Sequence, residues 1–269
     1  MWRGKLEVLR ARFRRPGRWV VCFSGGVDSA LVLKVAVEER GDDVLALTAL
    51  SPTLPVRERE ECARLAASFG ARHALVDSDE MANPDFVRNP TNRCYHCKDE
   101  LYTVARRHAR SLGYDWIADG VNVDDLGDHR PGLLAADEHD VLHPLVDAGL
   151  DKADVRGAAR GLGIDVWDKP AFACLSSRFP YGTPITQGGL DRVGRLEFFL
   201  ADHGFRTVRV RSIGDVARIE VLPARIPLLA EEPLRSTVRE VARAAGFSGV
   251  TVDLRGYRQG SLNEALDLP

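Results

Sequence analysis

The sequence predicts an α/β protein. A doubly wound parallel sheet is expected over residues 1–168, and a second, smaller α+β domain over residues 188–269. Three observations predict this. Short apolar runs alternate with segments of helical periodicity through the first part of the chain. A Ser-Gly-Gly loop stands between the first apolar run and the helix after it. The alternation stops at a proline-bearing stretch, 169–187, and a different pattern follows. Strands alternating with helices fit a parallel sheet covered on both faces, and ligands of such sheets bind beyond the carboxyl ends of the strands.

The elements follow in order. The first residues read as a basic amphipathic helix. Trp19–Phe23 is a buried strand ending at Ser24-Gly25-Gly26, and Ala30–Arg40 has helical spacing through Leu31, Val35 and Val37. Val44–Leu50 is a second buried strand, and Glu58–Phe69 a helix with Cys62, Leu65, Ala66 and Phe69 on one face. His73–Val76 is a strand, Lys98–Leu112 a helix and Asp115–Ala118 a strand, and Lys152–Leu162 is a helix stopped by Gly163. The segment 169–187 reads as a linker or a loop over the site. Beyond it, Leu190–His203 is helical, and Arg206–Arg211 and Val216–Leu222 alternate as two antiparallel strands joined at Ile213-Gly214-Asp215. Leu234–Ala245 is helical and Val250–Leu254 is a last strand.

Composition excludes several classes. Lys and Arg number 37 against 39 Asp and Glu, a formal charge of −2, so a protein devoted to non-specific nucleic-acid binding is not expected. The 45% hydrophobic content excludes a disordered tail. No apolar run approaches the ~18 residues of a membrane span, and Trp19–Phe23 is too short for a signal-peptide core, so a cytoplasmic location is expected. In that reducing setting, the five cysteines read as metal, redox or core residues, not disulfides. Cys22, in an apolar strand, and Cys62, on an Ala/Leu-rich helix face, read as small core hydrophobes. His143, before Pro144, reads as a turn residue, and Arg106-Arg107-His108 as a solvated helix face.

The loop Ser24-Gly25-Gly26-Val27-Asp28-Ser29 carries the chemistry. Two glycines let backbone approach an anion, N–H groups of the first helical turn point at it, and Ser24 and Ser29 add hydroxyls. Asp28 fits an anion site only if it holds a cation or caps the helix. The plainer reading is a Gly-Gly turn with Asp28 as cap. After a first strand, this motif resembles the PP-loop of the N-type ATP pyrophosphatases. The resemblance implies cleavage of ATP between its α and β phosphates and adenylylation of a substrate oxygen. The loop lacks the lysine of Walker-type sites.

Three further stretches narrow the family: Asn89-Pro90-Thr91-Asn92-Arg93-Cys94-Tyr95-His96-Cys97-Lys98, Asp119–Gly132, and Pro170-Ala171-Phe172-Ala173-Cys174-Leu175-Ser176-Ser177-Arg178. With the loop, and with Arg209-Val210-Arg211 and Arg218-Ile219-Glu220, they resemble the ATP-dependent sulfur transferases that build the nickel-pincer nucleotide cofactor of lactate racemase. The resemblance implies that ATP and Mg²⁺ convert a carboxylate of pyridinium-3,5-biscarboxylic acid mononucleotide to an acyl adenylate, and that sulfur displaces AMP. It places Cys174 where the family's sulfur-donor cysteine lies. In members with that cysteine alone, the residue gives up its own sulfur and becomes dehydroalanine. This chain adds Cys94 and Cys97, and three-cysteine members imply a [4Fe–4S] cluster with one iron free of protein ligands. A zinc or redox pair is the plainer reading of C-x-x-C alone.

Other residues keep two readings. Asp124, Asp125 and Asp128 serve as turn and capping residues, or contact nucleotide and Mg²⁺. Gly120 gives room for a ligand or a turn. Arg178 balances the charge of a phosphate or a cluster. Arg209 and Arg211, two apart on a strand, share a side and, with Ser177 in the family arrangement, make a clamp for the mononucleotide phosphate or an exposed salt-bridged face. Glu220 orients one of them or, like Asp28, binds Mg²⁺. The expected partners are a small nucleotide substrate, sulfide or another sulfur donor, and further copies of the chain in a homo-oligomer. A tRNA thiolation enzyme with a cluster, an amide-forming synthetase of the NAD-synthase type, and a nucleotide- or cluster-binding module without turnover are the rivals.

Overall fold

A computed structural model describes residues 2–127, 131–170, 173–258, 260–262 and 264. In chain order the elements are α1 (Trp2–Phe13), β1 (Trp19–Cys22), α2 (Val27–Arg40), β2 (Val44–Leu50), α3 (Val56–Ser68), β3 (Arg72–Asp77), α4 (Pro84–Val87), α5 (Arg93–Leu112), β4 (Trp116–Ala118), α6 (Gly132–Glu138), α7 (Pro144–Asp147), α8 (Lys152–Gly161), α9 (Gln187–Asp202), β5 (Val208–Ile213), β6 (Val216–Val221), α10 (Leu234–Ala244) and β7 (Gly249–Val252). Two compact units form, Met1–Asn83 with Asn92–Phe172, and Pro84–Thr91 with Ala173–Pro269.

In the first unit, four parallel strands lie in the order β3-β2-β1-β4. The chain steps outward from β1 to β2 to β3, then returns to the other side of β1 as β4. The strand order therefore reverses at β1, and the crevice beyond the ends of β1 and β4 is where a doubly wound sheet binds its ligand. Alternation along β1 explains its unbroken apolar run. Trp19, Val21 and Phe23 enter a core with α1, α2, α3 and α8, while Val20 and Cys22 enter a second core with α5 and α6. Helix α1 buries Leu6, Leu9 and Phe13 at helical spacing. The indole of Trp2 lies over Gly157 and Gly161 of α8, so close that a Cβ at either position would come within 2.8 or 2.6 Å of the ring.

The α/β class and the separate small sheet match the sequence reading, and the ends of several elements shift. Helix α5 begins at Arg93, not Lys98, so the C-x-x-C lies inside its first turns. Cys, His and Tyr carry little helix propensity, which hides that start from sequence. The short helices α4, α6 and α7 have no counterpart in the expected elements.

The second unit holds a three-stranded sheet, β5-β6-β7, and α9 and α10. β5 and β6 are antiparallel and joined through Gly214-Asp215, and β7 adds to β6 in parallel. The segment 84–91 belongs here. Asn89, fully buried at φ 55°, donates from Nδ2 to the Pro180 and Thr183 carbonyls at 2.8 and 3.1 Å, and its own carbonyl accepts from Gly182 N at 2.8 Å. Among the described residues, no helix is long and apolar enough to cross a membrane.

Candidate functional site

The loop after β1 and the loop after β4 meet in the first unit. Gly25 has φ +69°, and a Cβ there would meet Cys62 Sγ at 2.9 Å. Gly26 stands at the N-cap of α2 with no side-chain cap, and Val27 is buried in the core. Asp28 does not cap the helix. Its Oδ1 accepts from Asn122 Nδ2 at 3.1 Å, and its Oδ2 forms an ion pair with Lys152 Nζ. Ser24 and Ser29 exchange a hydroxyl hydrogen bond of 3.1 Å, and Ser29 Oγ donates to the Gly26 carbonyl at 3.1 Å. Gly120 packs so tightly on the start of α2 that a Cβ would lie 2.7 Å from Ser29 N.

The β4 loop is locked from within. Asn122 N donates to Asp125 Oδ2, Asp124 N to Asn122 Oδ1, and Lys152 N to Asp124 Oδ2, each at 3.0 Å. Asp124 and Asp125 thus do the turn and capping work. Asp128 lies outside the described residues. At the root of the loop, buried Asp119 accepts from Tyr102 Oη at 2.7 Å, Val121 N at 3.0 Å, and bonds His143 Nδ1 at 2.7 Å. Burial alone would raise the Asp119 carboxyl, but the His143 hydrogen bond and charge, with Lys98, hold it below the usual carboxylate range. Burial would lower His143, and the Asp119 contact outweighs it and raises the imidazole. His143 thus opens the turn of α7 as its N-cap, as the sequence suggests, and its side chain is in addition a buried carboxylate's partner. Sequence offers no signal for this, since the two are 24 positions apart.

The Arg106-Arg107-His108 run is only partly a solvated face. Arg107 is exposed, but Arg106 is half-buried and reaches Asp140 at 3.4 Å, and His108 Nδ1 bonds the Val104 carbonyl at 3.1 Å. Cys22 and Cys62 are buried core thiols, pushed by burial up to about 12 and about 11. Both stay protonated and unreactive at neutral pH. Cys94 is exposed and Cys97 half-buried, three apart on α5 and so on one helix face.

In the second unit, Cys174 is half-buried and precedes a single tight turn, Leu175–Arg178. Its carbonyl accepts from Ser177 N and Ser177 Oγ, both at 3.0 Å. Arg178, with 0% exposure, makes a two-pronged ion pair with Glu197 at 2.6 and 2.7 Å and donates to the Ala173 carbonyl and Ser177 Oγ. Arg211 pairs with buried Glu220 in the same forked way, at 3.1 and 2.9 Å, and donates to the Ser177 carbonyl at 2.6 Å. Glu220 thus plays the orienting role of its two readings. Arg209 is buried beside them, its guanidinium 5.2 Å from the Tyr257 ring centre. Burial and the neighbouring Arg178 and Arg211 hold it below the usual arginine range. These five side chains bring three positive charges to two negative ones, and Arg218 adds a further guanidinium 3.4 Å from Glu220.

Among the described residues no group of three or more His, Cys, Asp or Glu is arranged to hold a metal ion. Asp28 nonetheless suits Mg²⁺, which takes one or two protein carboxylates and completes its shell with phosphates and water. Sequence reasoning passed over Asn122, Lys152 and Glu197, and saw only the turn at His143, because each acts through a partner distant in the chain.

No protein-family profile matches the chain. An uncharacterized protein of Synechocystis is 45% identical over 99% of both chains. The pyridinium-3,5-bisthiocarboxylic acid mononucleotide synthase of Lactiplantibacillus plantarum is 36% identical over 97% of this chain and 95% of its own. The chain belongs to that synthase family. An uncharacterized Methanocaldococcus jannaschii protein, 26% identical over 93% of this chain and 94% of its own, extends the similarity to an archaeon. The match to the synthase runs nearly end to end, so both units fall within it.

Proposed function

We propose that the chain is an ATP-dependent sulfurtransferase that makes the thiocarboxylate of a pyridinium biscarboxylic acid mononucleotide. Full-length similarity to the Lactiplantibacillus plantarum synthase carries this reading. The loop geometry supports its nucleotide half. The N-terminus of α2, the Ser24 and Ser29 hydroxyls and the Asp28 carboxylate stand together in one loop. A carboxylate resists nucleophiles, and its oxygen attacks the α phosphorus of ATP to give an acyl adenylate and pyrophosphate. A sulfur nucleophile then adds at the acyl carbon and AMP leaves.

Arg209 and Arg211 are the residues proposed to receive the mononucleotide phosphate, helped by Ser177. The excess of guanidinium over carboxylate in their cluster favours an anion. Cys174, beside that cluster in sequence and in the same unit, is the proposed sulfur-bearing residue. The Cys94–Cys97 pair and Cys174 are the proposed ligands of a [4Fe–4S] cluster, which when present supplies an iron able to carry sulfide. The pair fits such a role in being accessible and on one helix face.

The test is incubation with ATP, Mg²⁺, sulfide and the biscarboxylic mononucleotide. AMP, pyrophosphate and a product in which sulfur replaces oxygen are expected together, and Cys174→Ala should release pyrophosphate without forming the sulfur product. ATP turnover indifferent to the mononucleotide would overturn the substrate assignment.

A further inference from the structure

The loop Ser24–Ser29 contains no cation, and the structure brings one to it. Lys152 opens α8, 124 positions from Asp28, and its ammonium rests on Asp28 Oδ2 within the first turn of α2. Its backbone is fixed independently. Lys152 N donates to Asp124 Oδ2 at 3.0 Å, and the Asp151 side chain caps α8 by accepting from Asp154 N at 2.8 Å. The same Asp28 carboxylate is held from its other oxygen by Asn122. Two distant segments, the β4 loop and the start of α8, therefore converge on one carboxylate at the positive end of a helix.

As a stabilising device this pair is weak. Its side chains are 33% and 20% exposed, and pairs open to solvent contribute little. As a ligand device it is well placed. Loop N–H groups, the dipole of α2 and an ammonium stand at the Asp28 carboxylate, while the Asp124, Asp125 and Asp151 carboxylates are taken up by backbone N–H groups, and a mobile ammonium there suits an anion of several charges more than one of two. We propose that Lys152 is the polyphosphate-reading cation of this loop, parked on Asp28 until a nucleoside triphosphate arrives. The proposal rests on the nucleotide reading above. Asp28 would be the carboxylate available to Mg²⁺ when the nucleotide is bound, and the Lys152 ammonium would then be free for a phosphoryl oxygen. Lysine does this work as a point charge on a flexible stem, so it can change partners without backbone movement.

The test is calorimetric titration of the full chain with ATP, AMP and inorganic pyrophosphate. In Lys152→Met, affinity for ATP and pyrophosphate should fall about tenfold or more, while AMP stays within about twofold of wild type. Lys152→Arg should recover part of the loss. Lys5→Met, which removes the other α8 ion pair, Lys5–Asp154, should leave all three affinities in place. A Lys152→Met protein that binds ATP and pyrophosphate as wild type does would overturn the proposal alone. So would an equal fall for AMP, the mark of a merely structural lysine. A wild-type chain that binds neither ATP nor AMP would overturn the nucleotide reading and this proposal with it.

Discussion

Removing the Arg178 guanidinium would leave Glu197 buried without its forked partner, with the Val210 N–H still donating to it at 2.7 Å. Breaking a buried pair from one side costs about 3–5 kcal/mol, because the charge left behind has lost both water and its counterion. Arg178→Ala is therefore expected to lose that much stability in urea unfolding. A double change to apolar residues, Arg178→Met with Glu197→Leu, should recover most of it. A loss under ~1 kcal/mol in the single variant would mean that the pair is not buried as described. The Asp119–His143 pair makes a second prediction at this scale. His143 is raised in the folded chain, so its contribution is fully present below the unfolded value near 6.5 and fades as pH rises through the folded value. Asp119 is lowered, so its contribution is present above the unfolded carboxylate value near 3.9 and fades only in acid. Between these limits both charges count. The stability gap between wild type and His143→Asn should be larger at pH ~5.5 than at ~8.5. A gap independent of pH would show that the imidazole carries no charge there.

At the scale of elements, the β4 loop and the start of α2 fit each other through a missing side chain. A Cβ on Gly120 would stand 2.7 Å from Ser29 N and 3.1 Å from the Asp28 carbonyl carbon, both backbone atoms that cannot rotate aside. Gly120→Ala must push the loop off the helix or shift the helix itself, at a cost of about 1–3 kcal/mol. The expected readout is a fall in ATP affinity of about tenfold or more, since the N–H groups of the loop would no longer converge. Gly127→Ala, at the far end of the same loop with nothing within 4 Å, should leave ATP binding unchanged. Equal affinities in the two variants would separate Gly120 from the site. The strands and most helices of this unit were legible in sequence because their signals are local. An apolar run such as Trp19–Phe23 announces a strand covered on both faces, and Gly25-Gly26 announces a turn. Helix α6 was not legible, because it follows a Gly- and Asp-rich loop that reads as turn throughout.

At the scale of the molecule, what escaped the sequence is what distant segments do together. Nothing local in Asn89 says that it organises 180–183 of the second unit, or in Lys152 that it reaches Asp28. The motif cysteines were legible as types and spacings, and their division between units was not. Cys94 and Cys97 stand on α5 of the first unit, and Cys174 belongs to the second. The proposed cluster needs all three cysteines, since two thiolates from α5 are too few for a three-ligand cluster. Protein purified without oxygen should carry about four iron atoms and four acid-labile sulfides per chain. Cys94→Ala and Cys174→Ala, changed one at a time in different units, should each lose most of that iron. Retention in Cys174→Ala with loss in Cys94→Ala would confine the metal to the α5 pair and favour zinc-like or redox chemistry there. Absence of iron from the wild type would leave Cys174 as a donor of its own sulfur. Its thiolate would attack the acyl adenylate and expel AMP to give a thioester; removal of the Cα proton by a base, with the thiocarboxylate as leaving group, would then break the Cβ–S bond, leaving dehydroalanine at position 174 and sulfur on the product. Mass spectrometry of the spent chain distinguishes this route, because the lost mass is that of H₂S, about 34 Da, and each chain would act once.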